Sequence, residues 1–264
     1  VYVYGSFLQS KMHQAGVVCT NCHDPHSNRV RAEDNQLCTQ CHVAGVYDRA
    51  EHHHHEVGGQ GAACVNCHMP VNTYMVVDDR HDHSFRVPQP KLTLELGVPN
   101  TCNQCHAEKD AQWALDALKS WNPDGVKPDR HGQAFQKAWS GQASALPELL
   151  ALAGNPASPP ILRASAISAA REFPSRENLE SIQNLLASGD SLLRTSAVQS
   201  MDWVPVAQRY AMLRDLISDR NKSVRMAVAR QLSPFPAEQL PGESRIELLA
   251  LYEEYRESMQ HNAD

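Results

Sequence analysis

All eight cysteines of this 264-residue chain fall in four copies of one pentad, and none lies outside them. The copies are Cys19-Thr-Asn-Cys22-His23, Cys38-Thr-Gln-Cys41-His42, Cys64-Val-Asn-Cys67-His68 and Cys102-Asn-Gln-Cys105-His106. The surrounding composition follows the same division. Twelve of the fourteen His lie before position 111, whereas Leu numbers five in residues 1–110 and nineteen in residues 111–264. A segment so poor in Leu cannot assemble an ordinary apolar core. Something held by the pentads must fill the interior of the first half.

The Cys-x-x-Cys-His frame is the attachment signature of c-type haem. Two thiols three positions apart reach the two vinyl groups of one porphyrin, and the His that follows meets the iron as proximal ligand. Three other readings fit less well. Structural zinc uses paired Cys-x-x-Cys but has no need of a His after every second Cys. A disulfide framework would not repeat one spacing four times. A thioredoxin-like pair would sit between a strand and a helix, and no such context is visible. The sequence therefore predicts four covalent haem c groups, bound by Cys19, Cys22, Cys38, Cys41, Cys64, Cys67, Cys102 and Cys105, with His23, His42, His68 and His106 on iron. Thioether formation takes place outside the cytoplasm, so the expected location is periplasmic or extracellular. Without its haems the first half is expected to be largely disordered.

A low-spin haem needs a second axial ligand, and eight further His in this region can supply it: His13, His26, His52, His53, His54, His55, His81 and His83. Bis-His ligation of all four irons is the expectation, which places the potentials below those of His/Met ligation. His26 stands too close to His23 to reach the far face of the same haem and is expected on a neighbouring one, against the alternative of a solvated His in the Asp24-Pro25-His26 turn. Adjacent imidazoles in the run His52 to His55 point different ways, so two of the four are expected on iron. His52, His53 and His55 stay as candidates without ranking. His83 is preferred to His81, with Phe85 expected on a porphyrin edge. His13 stays open between ligand and surface group. Met12, Met69 and Met75 are expected to pack on porphyrin rather than bind iron.

Several stretches resemble one family of bacterial multihaem c-type cytochromes with a C-terminal helical-repeat domain. They are Tyr4 to Met12, Cys22-His23-Asp24-Pro25-His26-Ser27, Cys67-His68-Met69-Pro70, Thr73 to Asp78, Asp82 to Pro88 and Pro99 to Cys102. The resemblance covers about residues 2–121 and extends well beyond the pentads. It implies His26, the His52–His55 cluster and His83 as iron ligands. It also implies upstream sequence with further haem sites, since the chain starts where such sequence would end. It implies no particular reaction.

The second half reads as helical. Trp113, Leu115, Leu118 and Trp121 predict a helix over 107–121 that ends at Pro123 and Gly125, followed by a turn-rich stretch from Asn122 to Arg130. Beyond about 141 the chain repeats. Arg163, Arg194 and Arg225 are 31 residues apart each time, and Pro174, Pro205 and Pro236 recur in phase. A helix-pair unit near this length looks like a HEAT repeat and implies a short α-solenoid closed by a helix from about Glu243 to Met259. The recurrent Arg is expected to bond to carbonyls or acids of the adjacent repeat rather than to form a partner-binding stripe. The fold class is thus mainly α: a haem-packed irregular and helical domain over 1–121, a connector over 122–140 and HEAT-like repeats over 141–264.

The formal net charge of −6 gives no basic footprint for nucleic acid, and haem propionates would make it more negative. No stretch approaches the roughly 20 apolar residues of a membrane span. The first functional reading is electron transfer through four bis-His haems to redox partner proteins, with self-assembly or a larger cytochrome complex left open. The alternative is a haem-based reductase of nitrite, hydroxylamine or a sulfur oxyanion, which would keep one iron open. A scaffold with haems as mere staples is the third and weakest reading.

Overall fold

The computed structural model describes residues 3–123 and 131–260 and divides the chain into two compact units, 1–129 and 130–264. The seven residues 124–130, on which most of the expected turn-rich stretch and Gly125 fall, lie outside the described residues. Both units are helical; the described strands are one antiparallel pair.

In the first unit the helices are α1 (Val3–Phe7), α2 (Lys11–Gln14), α3 (Cys19–Cys22), α4 (Gln36–Thr39), α5 (Ala44–Tyr47), α6 (Ala50–His53), α7 (Cys64–His68), α8 (Pro90–Leu96), α9 (Cys102–Cys105) and α10 (Ala111–Trp121). Nine of these have seven residues or fewer, too short to persist on their own hydrogen bonds. Only α10 has real length. It starts later than the sequence pattern predicts because the Asp110 carboxylate caps it, accepting from the Trp113 N–H at 2.8 Å. The hairpin of β1 (Val71–Tyr74) and β2 (Asp78–His81) pairs Val71 with His81 and Tyr74 with Asp78. Its tip places Met75 and Val76 at positive φ with both side chains exposed. Buried apolar residues here are few, namely Phe7, Ala62 and Ala114, while large apolar side chains such as Val18, Val43, Val46, Tyr47 and Val57 are exposed.

The second unit has the core that the first lacks. Its helices are α11 (His131–Trp139), α12 (Leu146–Gly154), α13 (Pro160–Ala170), α14 (Arg176–Leu186), α15 (Ser191–Gln199), α16 (Val206–Leu213), α17 (Lys222–Leu232) and α18 (Gly242–Gln260). Residues 131–139, expected as part of a connector, form a helix whose Ala134, Phe135 and Ala138 join this core. Helix α13 packs on α12 and α15, α15 on α17, and α17 on α18, so the Arg-bearing helices lie in chain order. Leu149, Ile167, Ile182, Leu193, Val198, Leu213, Val228, Leu232 and Leu248 are fully buried between them. Side-chain caps start the helices: Ser175 accepts from the Asn178 N–H, Asp190 from Leu192 and Leu193, and Asn221 from Ser223. The Asn178 amide, fully buried, donates to the Ala170 and Phe173 carbonyls and so fastens α14 to the end of α13.

The recurrent Arg is the fourth residue of α13, α15 and α17. Arg163 donates to the Ala153 carbonyl at the end of α12, and Arg194 and Arg225 donate to the Ser188 and Asp219 carbonyls in the turns before their helices. Arg194 also forks onto Asp219 at 2.8 and 3.0 Å, and Arg225 pairs with Glu254. Arg163 thus ties its helix to the one before, and Arg194 and Arg225 tie their turns to the following element. The Arg194–Asp219 pair is buried on both sides, with 8% and 7% of the side chains exposed. Burial works against a charged Asp219, but the Arg194 guanidinium, the Asn221 N–H and the charge of Arg220 outweigh it and hold the carboxyl below its usual range.

Removing Arg194 strands that carboxylate. Arg194→Ala is expected to destabilise the second unit by about 3–5 kcal/mol in chemical denaturation. Because the folded Asp219 is more acidic than the unfolded one, the pair's contribution is full above the ordinary Asp range, about pH 4, and fades as pH falls through the lower folded value. The variant should lack that part of the acid dependence. An unchanged denaturation midpoint would show that the pair is not structural.

Candidate functional site

Each pentad opens a short helix or straddles one. The thiol pairs Cys19/Cys22, Cys64/Cys67 and Cys102/Cys105 lie on α3, α7 and α9, and Cys38 lies on α4 with Cys41 just beyond it. A single helical turn brings positions i and i+3 to one face, which is why both thiols of a pair can address one group. None of the eight is in a disulfide. Burial pushes the thiols of Cys22, Cys64, Cys67 and Cys102 up, and burial together with the neighbouring Cys64 thiol pushes Cys38 up to about 11. The frames also neighbour one another. Cys41 helps to raise the Cys22 thiol, Cys64 the Cys38 thiol, and Cys102 and Cys105 the Cys67 thiol.

Three of the four pentad histidines face a second imidazole. The ring centres of His23 and His83 are 6.3 Å apart with planes 26° from parallel. Those of His68 and His52 are 6.2 Å apart at 16°, and those of His106 and His55 are 6.1 Å apart at 32°. These gaps are too wide for ring stacking; His54 on Trp121, a true stack, has centres 4.2 Å apart. They match an ion held between two imidazoles. A bond of about 2 Å on each side, plus about 1 Å from each nitrogen to its ring centre, separates the centres by about 6 Å. Among the described residues no group of three or more His, Cys, Asp or Glu is arranged around a metal. The pairs therefore suit a metal whose remaining ligands come with a planar cofactor, as in haem, rather than tetrahedral zinc.

Backbone carbonyls orient several of these rings. Nδ1 of His23 bonds to the Asn28 carbonyl at 3.2 Å, that of His83 to the His81 carbonyl at 2.9 Å, that of His68 to the Arg86 carbonyl at 3.0 Å, and that of His55 to the His53 carbonyl. A carbonyl only accepts, so Nδ1 carries the proton and Nε2 presents its lone pair. That tautomer leaves Nε2 free for a metal, and a backbone carbonyl is one of the partners that metal-binding histidines use. Burial, and then His68, His53 and His54, lower the His52 pKa.

The four-His run divides by geometry. His54 adopts a left-handed backbone, φ 55°, which ends α6 and turns the chain between His52 and His55. His53 accepts the His55 N–H on Nδ1, and its Nε2 is buried without a hydrogen-bond partner. Gly61 lies against His55 so closely that a Cβ there would overlap the ring.

The other candidates stand elsewhere. His13 meets the edge of Phe7 at 5.3 Å, and Phe7 in turn meets Phe85. His26 is exposed on a turn in which Asp24 accepts from the His26 and Ser27 N–H groups. His81 is fixed by the Met69 carbonyl at 2.7 Å. His42 is exposed and meets the edge of Tyr47 at 5.6 Å, with Tyr47 in turn on His52. Trp113 lies 4.8 Å from His106 and Phe85 6.0 Å from His83, aromatic walls beside two of the facing pairs. Sequence reasoning overlooked Gly61, whose only signal was a small residue in the stretch leading to the third pentad.

A family model described as a doubled CXXCH motif matches residues 12–46, which contain the first two pentads. No curated protein and no solved structure matches the chain. The doubled motif supports covalent haem c binding and an electron-transfer role like that of c-type cytochromes. No helix among the described residues is long and apolar enough to cross a membrane.

Proposed function

We propose that this chain is a tetrahaem c-type cytochrome that relays electrons outside the cytoplasm, in the periplasm or extracellularly. The three facing imidazole pairs carry this reading, since a metal-width gap recurs at three pentads whose thiols lie alongside. Iron porphyrin, when bound, supplies one-electron redox chemistry. The chain's own residues supply the rest. Cys19, Cys22, His23 and His83 would hold the first group, and Cys38, Cys41 and His42 the second. Cys64, Cys67, His68 and His52 would hold the third, and Cys102, Cys105, His106 and His55 the fourth. The carbonyls of Asn28, His81, Arg86 and His53 orient four of these imidazoles and leave their Nε2 free to bind a metal. The exposed Val and Tyr side chains of the first unit gain apolar partners on macrocycles of this size. In this reading the second unit is a short HEAT-like stack that docks a redox partner or fixes the cytochrome in an assembly, and its Arg residues serve the stack itself.

One observation favours a second reading. His42, among the described residues, faces the edge of Tyr47 rather than an imidazole. A site with one protein ligand leaves the other face of its iron to a small molecule, as a reductase of nitrite, hydroxylamine or a sulfur oxyanion needs. Carbon monoxide added to the reduced native protein separates the two: no Soret change is expected for a fully ligated relay, and a stoichiometric change marks an open iron.

The native protein is expected to exceed its polypeptide mass by four haems and to show the α band of reduced c-type haem; a mass without added groups rules the proposal out. In His83→Ala, about a quarter of the iron should turn high-spin by electron paramagnetic resonance, all of it at the Cys19/Cys22 site. Gly61→Ala should displace His55 and give the same signature at the Cys102/Cys105 site, with the other three unchanged. A high-spin signal spread over all sites in either variant would contradict the ligand assignment.

A further inference from the structure

The contact between the second and third attachment sites converges on one side chain, Asn35. Its backbone carbonyl accepts from the Cys38 and Thr39 N–H groups, at 3.0 and 2.9 Å, and so starts α4, the helix that carries Cys38. Its side-chain oxygen accepts from the Cys64 N–H at 2.8 Å, 29 residues further on. Cys64 is the first residue of α7, where a helix leaves its N–H groups without partners of its own. Ala63, which precedes it, makes no side-chain cap. Asn35 therefore caps the third attachment helix from a distance while its own main chain caps the second.

The amide nitrogen completes the junction. It donates to Asp48 at 2.7 Å and to the Ala62 carbonyl at 3.0 Å. Asp48 ends α5, the helix that carries Tyr47 next to His42. Ala62 closes the turn that runs into α7 and is itself buried. One planar amide thus ties its own segment to two others, Asp48 and the stretch 62–64, with donors and acceptor all engaged. At this junction the Cys38 and Cys64 sulfurs stand near one another, close enough for each to shift the other's pKa.

We infer that Asn35 is the positioning residue for electron transfer between the second and third sites. It holds the helix bearing Cys38 and the helix bearing Cys64 in one register, so that groups anchored there would keep a fixed separation. The inference rests on the haem reading above. Asn35 touches no iron and no axial His; it acts through the two attachment helices. Leu has the same number and branching of side-chain heavy atoms and none of the hydrogen bonds. Asp keeps the acceptor for the Cys64 N–H but loses both donors and faces Asp48.

The experiment measures circular dichroism in the Soret region, where neighbouring haems couple into a bisignate signal whose size depends on their separation and angle. Intact mass first establishes four haems in the native protein, and its failure there would sink the haem reading, not this inference alone. In Asn35→Leu with four haems, the couplet is expected to fall by about a third, one of three junctions having loosened, while the low-spin resonances stay. The double variant Asn35→Asp with Asp48→Asn exchanges donor for acceptor and should restore most of it. A native couplet in Asn35→Leu overturns the inference. So does a couplet that the double variant leaves as weak as Asn35→Leu does. If Asn35→Leu takes up fewer haems, peptide mapping decides: loss confined to the Cys38/Cys41 or Cys64/Cys67 peptides supports the junction, and loss at either outer pair overturns it.

Discussion

The first unit is organised by imidazoles that face one another across a gap the width of an ion. His23 and His83, His68 and His52, and His106 and His55 each keep ring centres just over 6 Å apart. Each pair joins a residue next to an anchoring thiol to a residue from a distant part of the chain. Short helices with little apolar burial do not hold such separations by core packing. The carbonyl bonds to Nδ1 show that the surrounding backbone is folded to suit this geometry, because they fix both ring orientation and tautomer.

The two units use different ways of gaining stability. The second buries Leu, Ile, Val and Ala continuously from Ala134 to Leu251. It spends its polar groups on links between successive elements: Arg194 to Asp219, Arg225 to Glu254, Asn178 to the end of α13. The first leaves many of its Val and Tyr side chains in solvent and concentrates its side-chain hydrogen bonds around the attachment helices. Thr101 donates to the Asn66 carbonyl and Gln104 to the Val71 carbonyl, joining the third and fourth sites much as Asn35 joins the second and third.

What could be read from the residues was local or periodic. The pentads announce attachment chemistry because thiol spacing is a local matter. The 31-residue spacing of Arg163, Arg194 and Arg225 placed each at the same step of a helix, and the carbonyls and acids they bond were the expected partners. Pairings over long separations were not legible. Nothing near His83 says that it faces His23, and nothing near Asn35 says that it caps α7. The hairpin was missed as well, since its tip carries Met75 and Val76 where a tight turn normally advertises itself with Asn and Gly. The helix over 131–139 was hidden by the turn signals just before it, and its apolar residues are spaced for burial only once the second unit's core exists.

The left-handed residue at His54 has a consequence for how the sites communicate. It folds the run so that His52 and His55 leave a single tight bend toward two different pentads. Two ligands on one bend share a lever. A displacement of either imidazole is delivered to the other through the two residues between them, and the Trp121 face on which His54 lies is the fulcrum. With metal held at both pairs as proposed, the two centres would be mechanically yoked.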